Sequence, residues 1–396
     1  MRTIAVEERR ARLALRHGLA AAHRFGAVAG VADAIVALHA TDPASVFLAA
    51  RARLAAPSVA AIEAALYEER TLVRMLGMRR TMFVVPAALA GVVQASSTRA
   101  LIAGERKRFV ALLQASDVAD DGDRWLRETE EAAYAALVAR GEATAAQLGQ
   151  DVPALRAKTA VAMDKPYGAI QGVSTKVLFL LAAEGRIVRG RPLGSWTSTL
   201  YRWAPAQTWL PAGIADLASD AAAAELVRRW LVAFGPGTRA DIKWWTGWTT
   251  GLVKRALAQL DTVEVQLAGP DGTATGVLLT DDAEPVAAPA PWVALLPALD
   301  PAPMGWQARS WYLGEHRAAC FDRSGNIGPT VWCDGRIVGG WAQRKGDGAV
   351  VVRLLEDIGA QAAEAVGEEA ARLQAWIGDV RVTPRFRTPL ERELSG

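Results

Sequence analysis

The sequence predicts an α+β fold, mostly helical, with tandem winged-helix units and a C-terminal β-rich domain. Three observations carry this reading. Two central stretches repeat one plan, three helices and then a β-hairpin, and a repeated plan is stronger evidence than a single one. In both, a threonine stands where the second helix starts, with a residue three positions on that can close a capping box. Past residue 284 the helical spacing gives way to short apolar strands around an Asp-Gly turn.

The first central stretch, 120–210, opens with an amphipathic helix over 128–140. Thr144 is the expected N-cap of a short second helix, and Gln147 its capping-box partner. A third helix spans 174–184 and stops at Gly185. Strand, turn-rich loop and strand follow over 187–203. The other central stretch, 215–283, third along the chain after 1–115 and 120–210, runs through a helix over 220–234, a Thr238-led helix with Asp241 at the box position, and a third helix over 250–259. Residues 262–267 and 274–279 then alternate as strands about the turn Gly269-Pro270-Asp271-Gly272.

The N-terminal stretch, 1–115, fits a looser third copy. Helices are expected over 6–19, 31–39 and 58–69, then a hairpin over 71–86. The last stretch, 284–396, begins rich in Pro and Ala. Strands are expected at 291–297, 330–333, 337–342 and 350–354, and a long helix over 356–376. A basic tail, Pro384-Arg385-Phe386-Arg387, closes the chain; it either touches a ligand or packs as a terminus.

With 396 residues, 51% of them hydrophobic, the chain has ample material for several cores. No run approaches the roughly 18 apolar residues that span a bilayer, and the first residues lack a signal peptide's apolar centre. Two cysteines, Cys320 and Cys333, make neither a disulfide framework nor a zinc site. The expected compartment is the cytoplasm. No Walker loop or dinucleotide fingerprint occurs, and no histidine pair has metal spacing, so no cofactor, nucleotide or metal is expected. The net charge is only +3. Its distribution says more: Arg99, Arg106, Lys107 and Arg108 share one helix, Arg186, Arg189, Arg191 and Arg202 surround one hairpin, and Arg381, Arg385 and Arg387 sit in the tail. Each alone reads as a solvated face. Together they suggest a shared phosphate-facing surface.

Several runs then carry a resemblance. Leu38-His39-Ala40-Thr41-Asp42-Pro43 leads to Ala49-Ala50-Arg51-Ala52-Arg53-Leu54. Met78-Arg79-Arg80-Thr81-Met82-Phe83-Val84-Val85-Pro86, Leu295-Leu296-Pro297-Ala298-Leu299-Asp300-Pro301 and Asp334-Gly335-Arg336-Ile337-Val338-Gly339 follow. Across nearly the whole chain the sequence resembles the AlkZ/YcaQ-like winged-helix DNA glycosylases. That family carries a Gln-any-Gln or Gln-any-Asp triplet before its Asp-Pro corner. His39 and Thr41 stand at the two ends of the triplet here, a His-x-Thr branch.

The resemblance implies a monomeric, nucleoid-associated DNA-binding protein and a monofunctional glycosylase. It would excise alkylated or bulky purines from double-stranded DNA, with a tie to resistance against a DNA-alkylating compound. Such cleavage passes through an oxocarbenium-like state at C1′. A cationic purine leaves without protonation, so the enzyme positions water and stabilises the sugar cation. His39 is the candidate to orient that water, or to act as base; Thr41 to hold it; Asp42 to face the cation. The DNA contacts implied are Arg51, Arg79, Arg80, Arg106, Lys107, Arg189, Arg191, Arg323, Arg385 and Arg387. Plain structural readings stand beside these roles. Asp42 before Pro43 is a good N-cap, His39 fits a partly buried face near a helix end, and Arg323 fits a surface turn. A regulator or lesion binder without chemistry, and a protein scaffold that never meets DNA, are the competing functions.

Overall fold

The computed structural model describes residues 1–161 and 168–396, and its elements form an α+β fold of helices and small sheets. In the second stretch, helices Gly122–Arg140, Ala145–Asp151 and Ser174–Ala183 precede the hairpin of Ile187–Pro192 and Tyr201–Pro205. Thr144 and Gln147 close their capping box in both directions. The third stretch repeats this with Ser219–Phe234, Arg239–Thr246, Thr250–Leu257 and the hairpin Thr262–Gly269 and Gly272–Leu279. Its box, Thr238 with Asp241, is also complete, and Asp241 accepts further from the Gln307 and Ala308 amides at 2.8 and 3.0 Å. A helix start is thereby fastened to the C-terminal part. There, strands Val293–Leu296, Thr330–Cys333, Arg336–Gln343 and Val350–Leu354 form one antiparallel sheet, with helix Ala360–Ile377 against it.

Among the described residues the buried apolar side chains form three clusters, one of them only Ile4, Val265, Leu267 and Leu278 where the first residues join the sheet of the third stretch. Another small one lies inside the second stretch, around Leu137, Val177, Leu181 and Trp203. A large one unites the N-terminal, third and C-terminal stretches.

The structure departs from the sequence reading in four places. No helix runs over 31–39. Helix Val28–Ala34 ends, Val36 takes a left-handed φ of 66°, and Leu38–His39 become a strand on Met82–Pro86. A β-branched pair, Ile35-Val36, sits where the helix breaks. Thr3–Ile4 forms a parallel pairing with Thr262–Gly269, so the first residues complete a sheet of the third stretch. Strands Lys158–Val161 and Ala169–Gly172 form a further hairpin. A last helix, Pro389–Ser395, follows the basic tail.

The hairpin of Leu72–Leu76 and Met82–Pro86 turns through Arg79 and Arg80, at φ 54° and 55°. The Thr81 amide donates to the Met78 carbonyl across it at 3.0 Å. Such turns favour Asn-Gly. Two arginines there cost on the order of 1 kcal/mol each, and strain of that kind concentrates at working sites. Among the described residues no helix is long and apolar enough to cross a membrane.

Candidate active site

The short strand Leu38–His39 delivers the corner. His39 pairs with Phe83, and the Ala40 amide donates to the Met82 carbonyl at 2.8 Å. Thr41 and Asp42 follow, and helix Pro43–Arg51 begins. Asp42 is the N-cap: its Oδ1 accepts from the Ala44 amide at 3.1 Å. Its Oδ2 accepts from the Arg385 amide at 3.0 Å. Both oxygens therefore hold backbone, one of them pinning the C-terminal tail to the corner. Burial lifts the Asp42 carboxyl above its usual range, against the pull of those two amides and of Arg385 and Arg74.

His39 is 7% exposed, edge-on to Phe83 at 5.3 Å between ring centroids. Its Nδ1 is buried without a partner. Burial, then the charge of Arg79, pushes its pKa down to about 3. The imidazole is neutral at pH 7 and a weak base, which favours the expected water-orienting role over that of a base. An unfolded chain takes up this proton near 6.5, the folded one only near 3. The stability that comes from keeping His39 neutral is complete above 6.5 and is lost as pH falls toward 3. From pH 7 to 5 the loss is about 2 kcal/mol. Urea unfolding at both pH values should therefore show wild type losing that much more than His39→Gln, which has nothing to protonate.

Thr41, half-buried, lines a cleft of about 600 Å³ together with Arg189, Leu193, Leu200, Tyr201 and Arg385. The start of helix Ala145–Asp151 forms the facing wall. His39 is not among the lining residues, so the two ends of the His-x-Thr triplet meet different surroundings. Behind the cleft, Arg74 lies over the Tyr201 ring at 4.7 Å, and Arg189 over the same ring at 5.5 Å and over Trp203 at 5.2 Å. Arg74 donates to the Ala40 carbonyl at 2.8 Å, while its Nε and Nη2 have no partner. The Tyr201 hydroxyl is likewise buried without a partner. Among the described residues none of Arg74, Arg189 and Arg385 forms an ion pair. Burial lowers the Arg189 pKa, and Arg74 and Arg385 lower it further.

A second cationic stack stands on the His39 side. Arg79 lies over Trp244 at 4.2 Å, Arg309 over Trp244 at 4.5 Å and over Phe321 at 5.0 Å, and Arg317 over Phe321 at 5.2 Å. Burial, then Arg309, lowers the Arg79 pKa to about 10.

Several of the arginines expected to contact DNA are paired with carboxylates of the protein itself. Arg51 is buried and paired with Glu369. Arg106 bridges Glu130 and Glu184 at 2.9 and 2.5 Å. Arg191 reaches Glu63 and Glu68 at 2.7 and 3.0 Å, and Arg387 reaches Glu391 at 2.7 Å. In each case a carboxylate from a neighbouring element or turn takes the charge a phosphate would need. Arg80 is half exposed yet joined to Glu105 at 2.8 Å. Lys107, Arg323 and Arg385 are exposed, and Arg323 stands on the turn that Asp322 closes onto Asn326. Sequence reasoning missed Arg74 and Tyr201. Arg74 offered a signal, a lone charge inside the apolar strand Leu72–Leu76; Tyr201 offered none.

Among the described residues no group of His, Cys, Asp and Glu is arranged to hold a metal ion.

Repeated helix-and-hairpin units thus surround an arginine-lined cleft at an Asp-Pro corner. The chain belongs to the DNA glycosylase AlkZ-like family, which matches it over residues 32–376. Among solved structures, Streptomyces sahachiroi DNA glycosylase AlkZ shares the fold, with a TM-score of 0.73 at 21% identity, covering 97% of this chain and 100% of that one. No curated protein matches the chain.

Proposed function

We propose that this protein is a monofunctional DNA glycosylase that removes an alkylated or bulky purine from double-stranded DNA. One observation carries the reading: the family's corner opens, at Thr41, into a cleft bordered by arginines that have no ion-pair partner among the described residues. Duplex phosphates supply the missing anions. Water held at Thr41 attacks C1′, the purine departs with the bonding electrons, and the water's proton passes to solvent. Neutral His39 orients rather than deprotonates, and the N-cap carboxylate of Asp42 fixes the corner's shape. The three helix-and-hairpin stretches act as winged helices, at 1–115, 120–210 and 215–283, with 284–396 bracing them. A single chain in the cytoplasm, bound to the nucleoid, suffices for this work.

The test is base release from duplex DNA carrying N7-methylguanine, with wild type, His39→Ala and Thr41→Ala. Release that falls in either variant supports the assignment of that residue; release unchanged in both overturns it. Duplex binding should also weaken steeply with salt. Arg189→Ala with Arg385→Ala should reduce the slope of log K against log salt by about 2, read by fluorescence anisotropy.

A second reading, a lesion binder or regulator without chemistry, is favoured by the burial of His39 and the engagement of both Asp42 oxygens. It predicts the same salt-sensitive binding with no base release from any alkylated duplex.

A further inference from the structure

A second cavity, also of about 600 Å³, lies beyond the far end of the corner helix and shares no lining residue with the cleft at Thr41. Helix Pro43–Arg51 is nine residues long, about 13 Å from end to end. Asp42 caps its start beside the cleft. Arg51, its last residue, pairs with Glu369, and Glu369 lines the second cavity. The other walls come from the 19–24 segment, strand Val293–Leu296, the turn at Asp334 and the start of helix Ala360–Ile377.

The charges on these walls do not balance. Glu369, 3% exposed, holds Arg51 and also accepts from Arg372 at 2.9 Å. Arg24 lines the cavity as well. Among the described residues it forms no ion pair, and its Nε is buried without a partner. Burial lowers the Arg51 pKa, and the charges of Arg24 and Arg372 lower it further against the pull of Glu369. The other acid on the wall, Asp334, accepts from the Trp292 amide at 2.8 Å. One guanidinium is thus left over, facing a space large enough for a small molecule.

Further donors border the same space. Helix Ala360–Ile377 starts without a side-chain cap, and its first bond runs from the Ala363 amide to the Gly359 carbonyl at 3.0 Å. The amides of Ala360, Gln361 and Ala362 therefore have no acceptor within the helix, and all three residues line the cavity. The start of a long helix favours an anion. Trp292, 8% exposed, is on the wall too, and its indole N–H has no acceptor among the described residues. Beside these donors the lining is apolar, with Leu19, Val293 and Ile358. Few polar groups set in an apolar wall is the usual make-up of a small-molecule site.

We propose that this cavity binds a small organic anion, one carboxylate on an apolar body of about two rings. The carboxylate lies between Arg24 and the uncapped helix start, where a planar fork and a positive helix end both suit it. The body lies against Leu19, Trp292 and Ile358. A single unbalanced guanidinium selects a single negative charge. This site takes no part in base release, and it stands or falls apart from the DNA reading above.

The test is calorimetric titration of the full-length protein, free of DNA, with 2-naphthoate. Two other probes separate its halves: 2-naphthalenemethanol keeps the rings without the charge, and acetate keeps the charge without the rings. Naphthoate should bind at one site, at least about tenfold more tightly than either. Arg24→Gln should weaken naphthoate by about tenfold. Ala365→Phe, which fills the cavity, should abolish its binding. Arg189→Ala with Arg385→Ala should bind naphthoate as wild type does. No binding by wild type, equal binding of either partial probe, or undiminished binding by Arg24→Gln overturns the proposal. So does loss of binding in the Arg189 and Arg385 variant, which would place the anion in the cleft at Thr41. Should Ala365→Phe fail to fold, Arg24→Gln, altered at a half-buried residue outside the cores, decides alone.

Discussion

Arg53→Ala is expected to lower the stability of the fold by about 3–5 kcal/mol. Arg53 and Asp300 have no exposed surface at all. Their two bonds, Nη2 to Oδ1 at 2.7 Å and Nη1 to Oδ2 at 2.8 Å, are parallel and bidentate. Arg53 also donates to the Ala49 carbonyl at 2.9 Å, and Asp300 accepts from the Ala302 amide at 2.9 Å. Alanine would leave a buried carboxylate facing one amide, with no water to replace the guanidinium. Removing one partner of a buried pair costs far more than the pair contributes. Arg53→Met with Asp300→Leu should therefore recover most of the loss. The remainder is about 1 kcal/mol for each of the Ala49 and Ala302 groups left alone. Urea unfolding at pH 7 of wild type, single and double variants reads both numbers. A double variant no more stable than the single one would show that the pair is held for packing rather than charge balance.

This pair also bears on the site. Helix Pro43–Arg51 is capped by Asp42 at one end and followed by Arg53 at the other. Ser45 donates to the Ala298 carbonyl at 2.7 Å between them. The 297–302 segment thus grips the helix along its length and sets where the corner stands.

Elements governed by local chemistry were readable from the sequence. Thr144 with Gln147 and Thr238 with Asp241 fix their helix starts through bonds between residues three apart, and both boxes form as the spacing requires. Gly185 stops its helix at φ 77° because glycine enters that region without a Cβ penalty. Elements governed by distant partners were not. Leu38–His39 is too short to declare itself a strand, and only Val84 and Phe83 make it one. Thr3–Ile4 needs a partner more than 250 residues away. The pairing of the arginine clusters was hidden for the same reason. Arginine clusters are visible in sequence, but whether Glu369, Glu184 or Glu63 reaches them is a matter of packing. Trp244 packs at the edge of the large core and lies between the guanidiniums of Arg79 and Arg309, partners that are distant in sequence. The Asp-Pro corner was legible as a helix start and, by resemblance, as a site. Its cleft was not, since Tyr201 and Arg189 arrive from another unit.

Base release by the proposed glycosylase should change less than about twofold between pH 5 and 8, because His39 stays neutral throughout that range. A general base with the ordinary histidine value would lose activity as it takes up a proton. At pH 5 it would be slower by about thirtyfold. The two mechanisms therefore differ by more than an order of magnitude in one measurement: single-turnover release of N7-methylguanine across pH, corrected for spontaneous depurination. His39→Ala should lower the rate by about 10²–10³ at every pH, the usual loss when a fixed hydrogen-bonding group is removed from a reacting centre. His39→Gln should restore most of it, since an amide also orients water without titrating. An acid limb near 6.5 in wild type that vanishes in His39→Gln would mean that DNA binding exposes the imidazole and returns it to solvent. The buried, unpartnered Nδ1 would then belong to the free protein alone, and the corner would have to open for the reaction. A flat profile with the Gln variant as active as wild type would instead leave orientation as the whole of what His39 contributes, with Thr41 and the cleft supplying the rest.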